Sequence, residues 1–236
     1  MSSDHLRPRS PHLQDCVRSG SATVALVIPR FDRQVALIIV DVQVGIDDAE
    51  HWGGPTGRRN NPDAEANCAD LLAAFRSHDL PVVFTMQDSL ESASPLKLSL
   101  PSGQLKPGFE PLPGEPVIAK QVNGAFFGTD LEIRLRRLNV HRLAVCGFFT
   151  NMCVETTVRT AGNLCFDVYL AHDACATSNR VGPDGVDHDA DVVHQLSVAS
   201  MHGEFCTAVT TTEAIGLLDA DNEGLIRLQG NDASVR

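Results

Sequence analysis

"RLAVCGFFTNMCVETTVRTAGNL", residues 142–164, decides how this chain reads. It opens on a short apolar run without alternation, "RLAVCGF", the mark of a strand buried on both faces. It closes on "CVETTVRTAGNL", which reads as a helix. A strand running directly into a helix is the unit of a parallel sheet with right-handed crossovers.

The same alternation extends in both directions. Downstream come a strand at 166–174, a helix at 189–202, a strand at 206–212 and a last helical turn or two in "TEAIGLL". Upstream, "VALIIVD" (35–41) is a strand ending in an acid. A Gly/Pro/Asn-rich loop leads to a helix at 64–79, then "PVVFTM" (81–86), a proline-rich loop and "PVIAK" (116–120). "TDLEIRLRRLN" (129–139) reads as a helix with Thr129 as N-cap. About six strands follow from this reading, in one three-layer α/β/α sandwich with a parallel sheet. Residues 1–33 form an N-terminal extension, in which "TVALVI" is either an extra strand or an arm onto a neighbour. The domain then covers 34–220, and 221–236 is a C-terminal tail.

The chain has 236 residues, 43% hydrophobic and 21% charged, as in an ordinary globular protein. Its net charge of -11 disfavours nucleic acid as a partner. No apolar run approaches the roughly 20 residues that span a bilayer. The polar, proline-broken N-terminus lacks the features of a secretory signal. A cytoplasmic location is therefore expected, where thiols stay reduced. The 7 cysteines show no C-x-x-C spacing, so neither a disulfide framework nor a zinc cluster is signalled.

In parallel sheets, ligands bind at the carboxyl ends of the strands. Three reactive residues fall there: Asp41, Lys120 and Cys153. Singly, each has a bland reading: a loop cap, an edge residue and a buried helix residue. Three different chemistries at three strand ends suggest a constellation. A helix start would stabilise a thiolate at Cys153 and lower its pKa. The backbone N–H groups of Phe149 and Thr150 lie beside the sulfur and could serve as an oxyanion hole.

The set Asp41 in "IIVDVQ", Lys120 in "VIAKQVNGAFFGTDLE" and Cys153 in "VCGFFTNMCVETTVRTA" resembles the isochorismatase-like cysteine hydrolase superfamily, over nearly all of 35–218. "DVQVGIDD", "RNNP", "SPL", "NGAFFGTDLE" and "HGEF" are most similar to its streptothricin hydrolase group. The resemblance implies that Cys153 is the nucleophile, Asp41 the proton acceptor and donor, and Lys120 their electrostatic partner. It implies an oxyanion hole from the N–H groups of Phe149 and Cys153, a thioester intermediate, and a cis peptide at Phe148–Phe149. It also implies a homo-oligomer, a dimer or tetramer.

Further residues are candidates for substrate binding. Gln43 shares a strand side with Asp41 and either supports the site or bonds a loop. Trp52 is a pocket wall or packing for its own Gly-rich loop. Of Phe126 and Phe127, at least one walls the pocket. Asn151 is a substrate contact or a helix cap. Glu204 reads as an ordinary charged loop residue. No metal and no cofactor are expected: relatives that hydrolyse nicotinamide resemble one another in an Asp-x-His metal site, and here that region reads "MQDSLES". The aspartates of "GPDGVDHDAD" read as a solvated loop with an N-cap rather than a calcium site.

Two departures from the family pattern are Val44, where many relatives have Asn, and Cys165, where many have Gly. Gly suits the left-handed position after a helix, so a non-glycine residue with positive φ is expected near Asn163 to Cys165. The reading that results is a metal-independent amidohydrolase acting on a small amide, lactam or ureido compound. The alternative is a non-catalytic binding or thiol redox-sensing protein. Its signature is a buried Cys153, or one more than about 6 Å from both Asp41 and Lys120.

Overall fold

The computed structural model describes residues 30–219. Most of the predicted extension, its "TVALVI" segment, and the 221–236 tail lie outside the described residues. In chain order the elements are β1 (Val35–Val40), the single turn α1 (Ala49–Trp52), α2 (Ala64–Ser77), β2 (Val82–Gln87), β3 (Val117–Lys120), α3 (Leu131–Arg137) and β4 (Arg142–Phe148). There follow α4 (Glu155–Asn163), β5 (Asp167–Ala176), β6 (Arg180–Val181), β7 (Asp187–His188), α5 (Ala190–Met201), β8 (Thr207–Val209) and α6 (Thr211–Gly216).

Six strands form one parallel sheet in the order β3-β2-β1-β4-β5-β8. Every residue of β1 and β2 is buried, which explains their unbroken apolar runs. Helices cover the sheet: α2 packs with α6, and α4 packs with α5. The expected α/β/α sandwich with six strands is what the chain forms. The small antiparallel pair β6–β7 is an addition that the sequence reading missed. Strands of two residues carry no periodicity to detect.

Because the sheet is parallel, all six carboxyl ends lie along one edge. β1 and β4 approach very closely there. A Cβ on Gly147 would lie 2.1 Å from the Val40 carbonyl oxygen, and its φ is 124°, so only glycine fits.

Two local expectations change. Helix α3 starts later than predicted, with Asp130 at its N-cap. Thr129 instead donates its hydroxyl to the Ala125 carbonyl at 2.6 Å, so it ties down the preceding turn. Past α4, Cys165 has φ 62°, the positive value expected in that segment. Its N–H donates to Gly162 O at 3.0 Å, and Phe166 N–H to Ala161 O at 3.1 Å. That pair of bonds is a Schellman ending, with cysteine at the position that favours glycine. Asp189 caps α5 through the Asp191 N–H, as the loop-and-cap reading of that acidic segment requires.

Candidate active site

Asp41 follows β1, Gln87 closes β2 and Lys120 closes β3, so adjacent strands deliver three polar side chains to one place. Burial seals them: Asp41 is 0% exposed and Lys120 2%. Lys120 Nζ donates to Asp41 Oδ2 at 2.6 Å, to Gln87 Oε1 at 2.6 Å and to the Val122 carbonyl at 3.3 Å. All three ammonium protons are thereby used. The Thr85 hydroxyl donates to the other carboxylate oxygen, Asp41 Oδ1, at 2.6 Å. Burial alone would lower the Lys120 pKa. The charge of Asp41 is the chief influence that outweighs it and holds the lysine above its usual value, so it stays an ammonium.

Cys153 reaches the same place from β4, but not from the first turn of an α-helix. Residues Thr150–Val154 form a π-helical turn, and α4 begins only at Glu155. The Met152 and Val154 N–H groups both donate to the Phe149 carbonyl, at 3.0 and 3.2 Å. Such wide turns recur at functional sites. The Phe148–Phe149 peptide before the turn is cis. Thr150 is fully buried and meets His194 Nδ1 at 2.9 Å. Burial, helped by the neighbouring His172, pushes His194 down to about 4, so it is a neutral anchor for the turn.

The expected lowering of the Cys153 pKa is not found. Burial, followed by the charge of Asp41, pushes the thiol well up, and Lys120 only partly opposes them. A turn start cannot offset the loss of water around a residue that is only 7% exposed. At rest the group is therefore a thiol. Its hydrogen-bond acceptors are Asn123 Oδ1 at 3.7 Å and Gln87 Oε1 at 4.0 Å. The charges of Asp41 and Lys120 both bear on the thiol, the first raising and the second lowering its pKa. One signature of the non-catalytic alternative, burial of Cys153, is thus present. The other, isolation from both charged partners, is not. Asn123 is itself exposed, so the sulfur lies one side chain below the surface.

The other candidates separate. Gln43 is 0% exposed, and its side-chain polar atoms are engaged within the protein. Its side-chain amide grips the Gln87 backbone, accepting from Gln87 N–H at 2.8 Å and donating to Gln87 O at 3.0 Å and Gly103 O at 2.7 Å. Trp52 donates to Gly45 O at 2.8 Å and its ring lies 4.8 Å from that of Phe149, so it packs its loop against the residue of the proposed oxyanion hole. Phe126 sits against Phe166 and the core. Phe127 is 56% exposed and, with Asp88 and Val122, lines a pocket of about 420 Å³ beside Lys120. Asn151 accepts from the Thr177 hydroxyl at 2.5 Å, a tie between segments rather than a helix cap. Glu204 is exposed in the turn before β8, at the opposite edge of the sheet.

Thr85, Gln87 and Asn123 were not singled out from the sequence. The strand-end rule does reach Gln87. Without charge or nucleophilicity, however, an amide carries no signal in a sequence.

Residues 35–214 match the model of the isochorismatase domain. The chain is similar to the isochorismatase family protein YrdC of Bacillus subtilis, 35% identical over 184 residues, which cover 78% of this chain and 96% of that one. It is similar to a crystal structure of an isochorismatase-family protein from Chromobacterium violaceum, with 40% identity, TM-score 0.74, and coverage of 80% of this chain and 97% of that one. It is also similar to streptothricin hydrolase of Streptomyces noursei, 36% identical over 146 residues, 60% of this chain and 49% of that protein. About half of that hydrolase has no counterpart in the match.

Proposed function

Given that the chain belongs to the isochorismatase family, we propose that it is a cysteine-dependent amidohydrolase cleaving the C–N bond of a small amide, lactam or ureido compound. The observation that carries this reading is the sealed Asp41–Lys120 pair, Nζ to Oδ2 2.6 Å, whose charges bear on the Cys153 thiol.

The raised thiol makes a base necessary. Asp41 takes the proton as Sγ bonds to the carbonyl carbon. The oxyanion is held by the backbone N–H groups of Phe149 and Cys153. Asp41 then gives its proton to the leaving nitrogen, the C–N bond breaks and a thioester remains. Asp41 next deprotonates a water, whose oxygen attacks the thioester carbon. The C–S bond breaks and the sulfur regains its proton. Lys120 keeps the carboxylate ionised between these transfers. Phe127 and Val122 form the apolar wall of the substrate pocket.

A homo-oligomer, dimer or tetramer, and a cytoplasmic location belong to the same proposal. Val117 on the outermost strand β3 is 43% exposed, which suits a covered edge, and the described cysteines are all free thiols. The burial of Cys153 favours a second reading, a non-catalytic small-molecule-binding protein on the same fold. An amide panel assayed for released ammonia or amine separates the two. The wild type should turn over at least one member and Cys153→Ala none. Undiminished turnover in Cys153→Ala would end the nucleophile assignment.

A further inference from the structure

We propose that Gln87 is a substrate-binding residue, whose side-chain NH₂ holds a hydrogen-bond acceptor of the substrate beside the Cys153 sulfur. The inference rests on the reading of Cys153 as the nucleophile of an amidohydrolase.

Two constraints fix the Gln87 carboxamide. Its backbone is gripped on both sides by the Gln43 side chain, N–H to Oε1 at 2.8 Å and O to Nε2 at 3.0 Å. Its Oε1 receives a proton from Lys120 at 2.6 Å. An ammonium has donors only, so the oxygen must face Lys120 and the NH₂ must face away from it. The whole residue is 7% exposed. Among the described residues Nε2 has no acceptor, yet it is not one of the sealed polar atoms left without a partner, so it is open to solvent at rest; Oε1 lies 4.0 Å from the Cys153 sulfur. A donor that meets only solvent at rest is free to exchange it for an acceptor on a bound molecule. The reaction itself would supply that partner.

The chemistry of the complement follows. Around the sulfur, Lys120 is already saturated and the backbone N–H groups serve the scissile carbonyl. Nε2 therefore meets a second acceptor, borne close to that carbonyl. Asn123 Oδ1, 3.7 Å from the sulfur on the open side, offers an acceptor for an N–H of the same substrate. The substrate class that fits is an amide with a further carbonyl, carboxylate or ureido oxygen adjacent to the scissile group. A simple alkyl amide leaves Nε2 unpaired.

Alkylation of Cys153 tests the donor without a known substrate. Iodoacetamide carries a carbonyl acceptor next to its reactive carbon, and methyl iodide carries none. Rates at the Cys153 peptide are read by mass spectrometry for the wild type, Gln87→Glu and Gln87→Met. Gln87→Glu keeps an oxygen on Lys120 and loses the NH₂. Any change in thiol acidity affects both reagents alike and cancels in their ratio. The iodoacetamide-to-methyl iodide ratio should fall about fivefold in Gln87→Glu, the factor for one neutral hydrogen bond. An unchanged ratio overturns the proposal, and Gln87→Met decides if Gln87→Glu does not fold. Turnover by Cys153→Ala is a separate result. It would remove the hydrolase reading while leaving the alkylation ratio to be judged alone.

Discussion

Lys120→Met is expected to cost the fold about 3–5 kcal/mol, because it strands a buried carboxylate. The magnitude can be worked from the site. At 2.6 Å, two unit charges attract by about 6 kcal/mol at an effective dielectric of about 20. Desolvating each ion costs several kcal/mol, so the intact pair adds little net stability over an apolar one. Breaking it is different. Asp41 stays buried, with the Thr85 hydroxyl as its remaining side-chain donor among the described residues, and Gln87 Oε1 loses its lysine. Urea unfolding of the wild type, Lys120→Met, Asp41→Asn and the double variant measures this directly. The double variant removes both charges. It should recover at least about 2 kcal/mol relative to the sum of the single losses, as contacting groups do in a cycle. The m-values should stay equal, so that midpoints report stability. A Lys120→Met loss below about 1 kcal/mol, or strict additivity in the cycle, would refute the argument.

Other outcomes follow from the same structure. Asp41→Asn should abolish turnover yet speed alkylation of Cys153 at pH 8, since the carboxylate is one of the causes holding the thiol up; a fall in both rates would show that the side chain acts by holding the fold. Stability should decline as pH falls from about 6.5 towards 4, because the unfolded chain protonates His194 while the folded chain, with His194 at about 4, does not. That loss is about 3 kcal/mol in full, about 2 kcal/mol of it by pH 5, and should shrink in His194→Gln; urea midpoints at pH 7.5 and pH 5 in both proteins check it. Cys165→Gly should add about 0.5–1 kcal/mol by relieving the left-handed residue at φ 62°; a lower melting temperature than the wild type would contradict this.

The fold was legible because burial on both faces erases alternation. β1 and β2 are wholly buried, and "VALIIV" and "VVFTMQ" record that directly. The strand-end rule then located Asp41 and Lys120 from residue type alone. The left-handed Cys165 was legible only through the family resemblance, because many relatives have Gly where this chain has cysteine and Gly suits the position after a helix. What stayed hidden depends on neighbours that are distant in the chain. The π-helical turn at Thr150–Val154 has no periodicity to betray it over five residues. Gln43 and Asp41 share a strand side, but sequence cannot say that Gln43 turns inward to hold another residue's backbone 44 positions away.

The thiol shows most clearly how burial decides chemistry. A cysteine at a helix start reads as an activated thiolate when only its own turn is considered. Once Asp41 sits beside it at 0% exposure, the same cysteine is held protonated, and activation must come from proton transfer within the site. That reversal also changes what Lys120 is for. It cannot make a resting thiolate against both burial and the carboxylate. With its three protons on Asp41, Gln87 and Val122, its part in the proposed mechanism is to keep Asp41 ionised and able to take the thiol proton when a substrate carbonyl is in place. A thiol of this kind reacts when a base and an electrophile act together, which suits hydrolysis of a bound amide better than indiscriminate reaction with solutes.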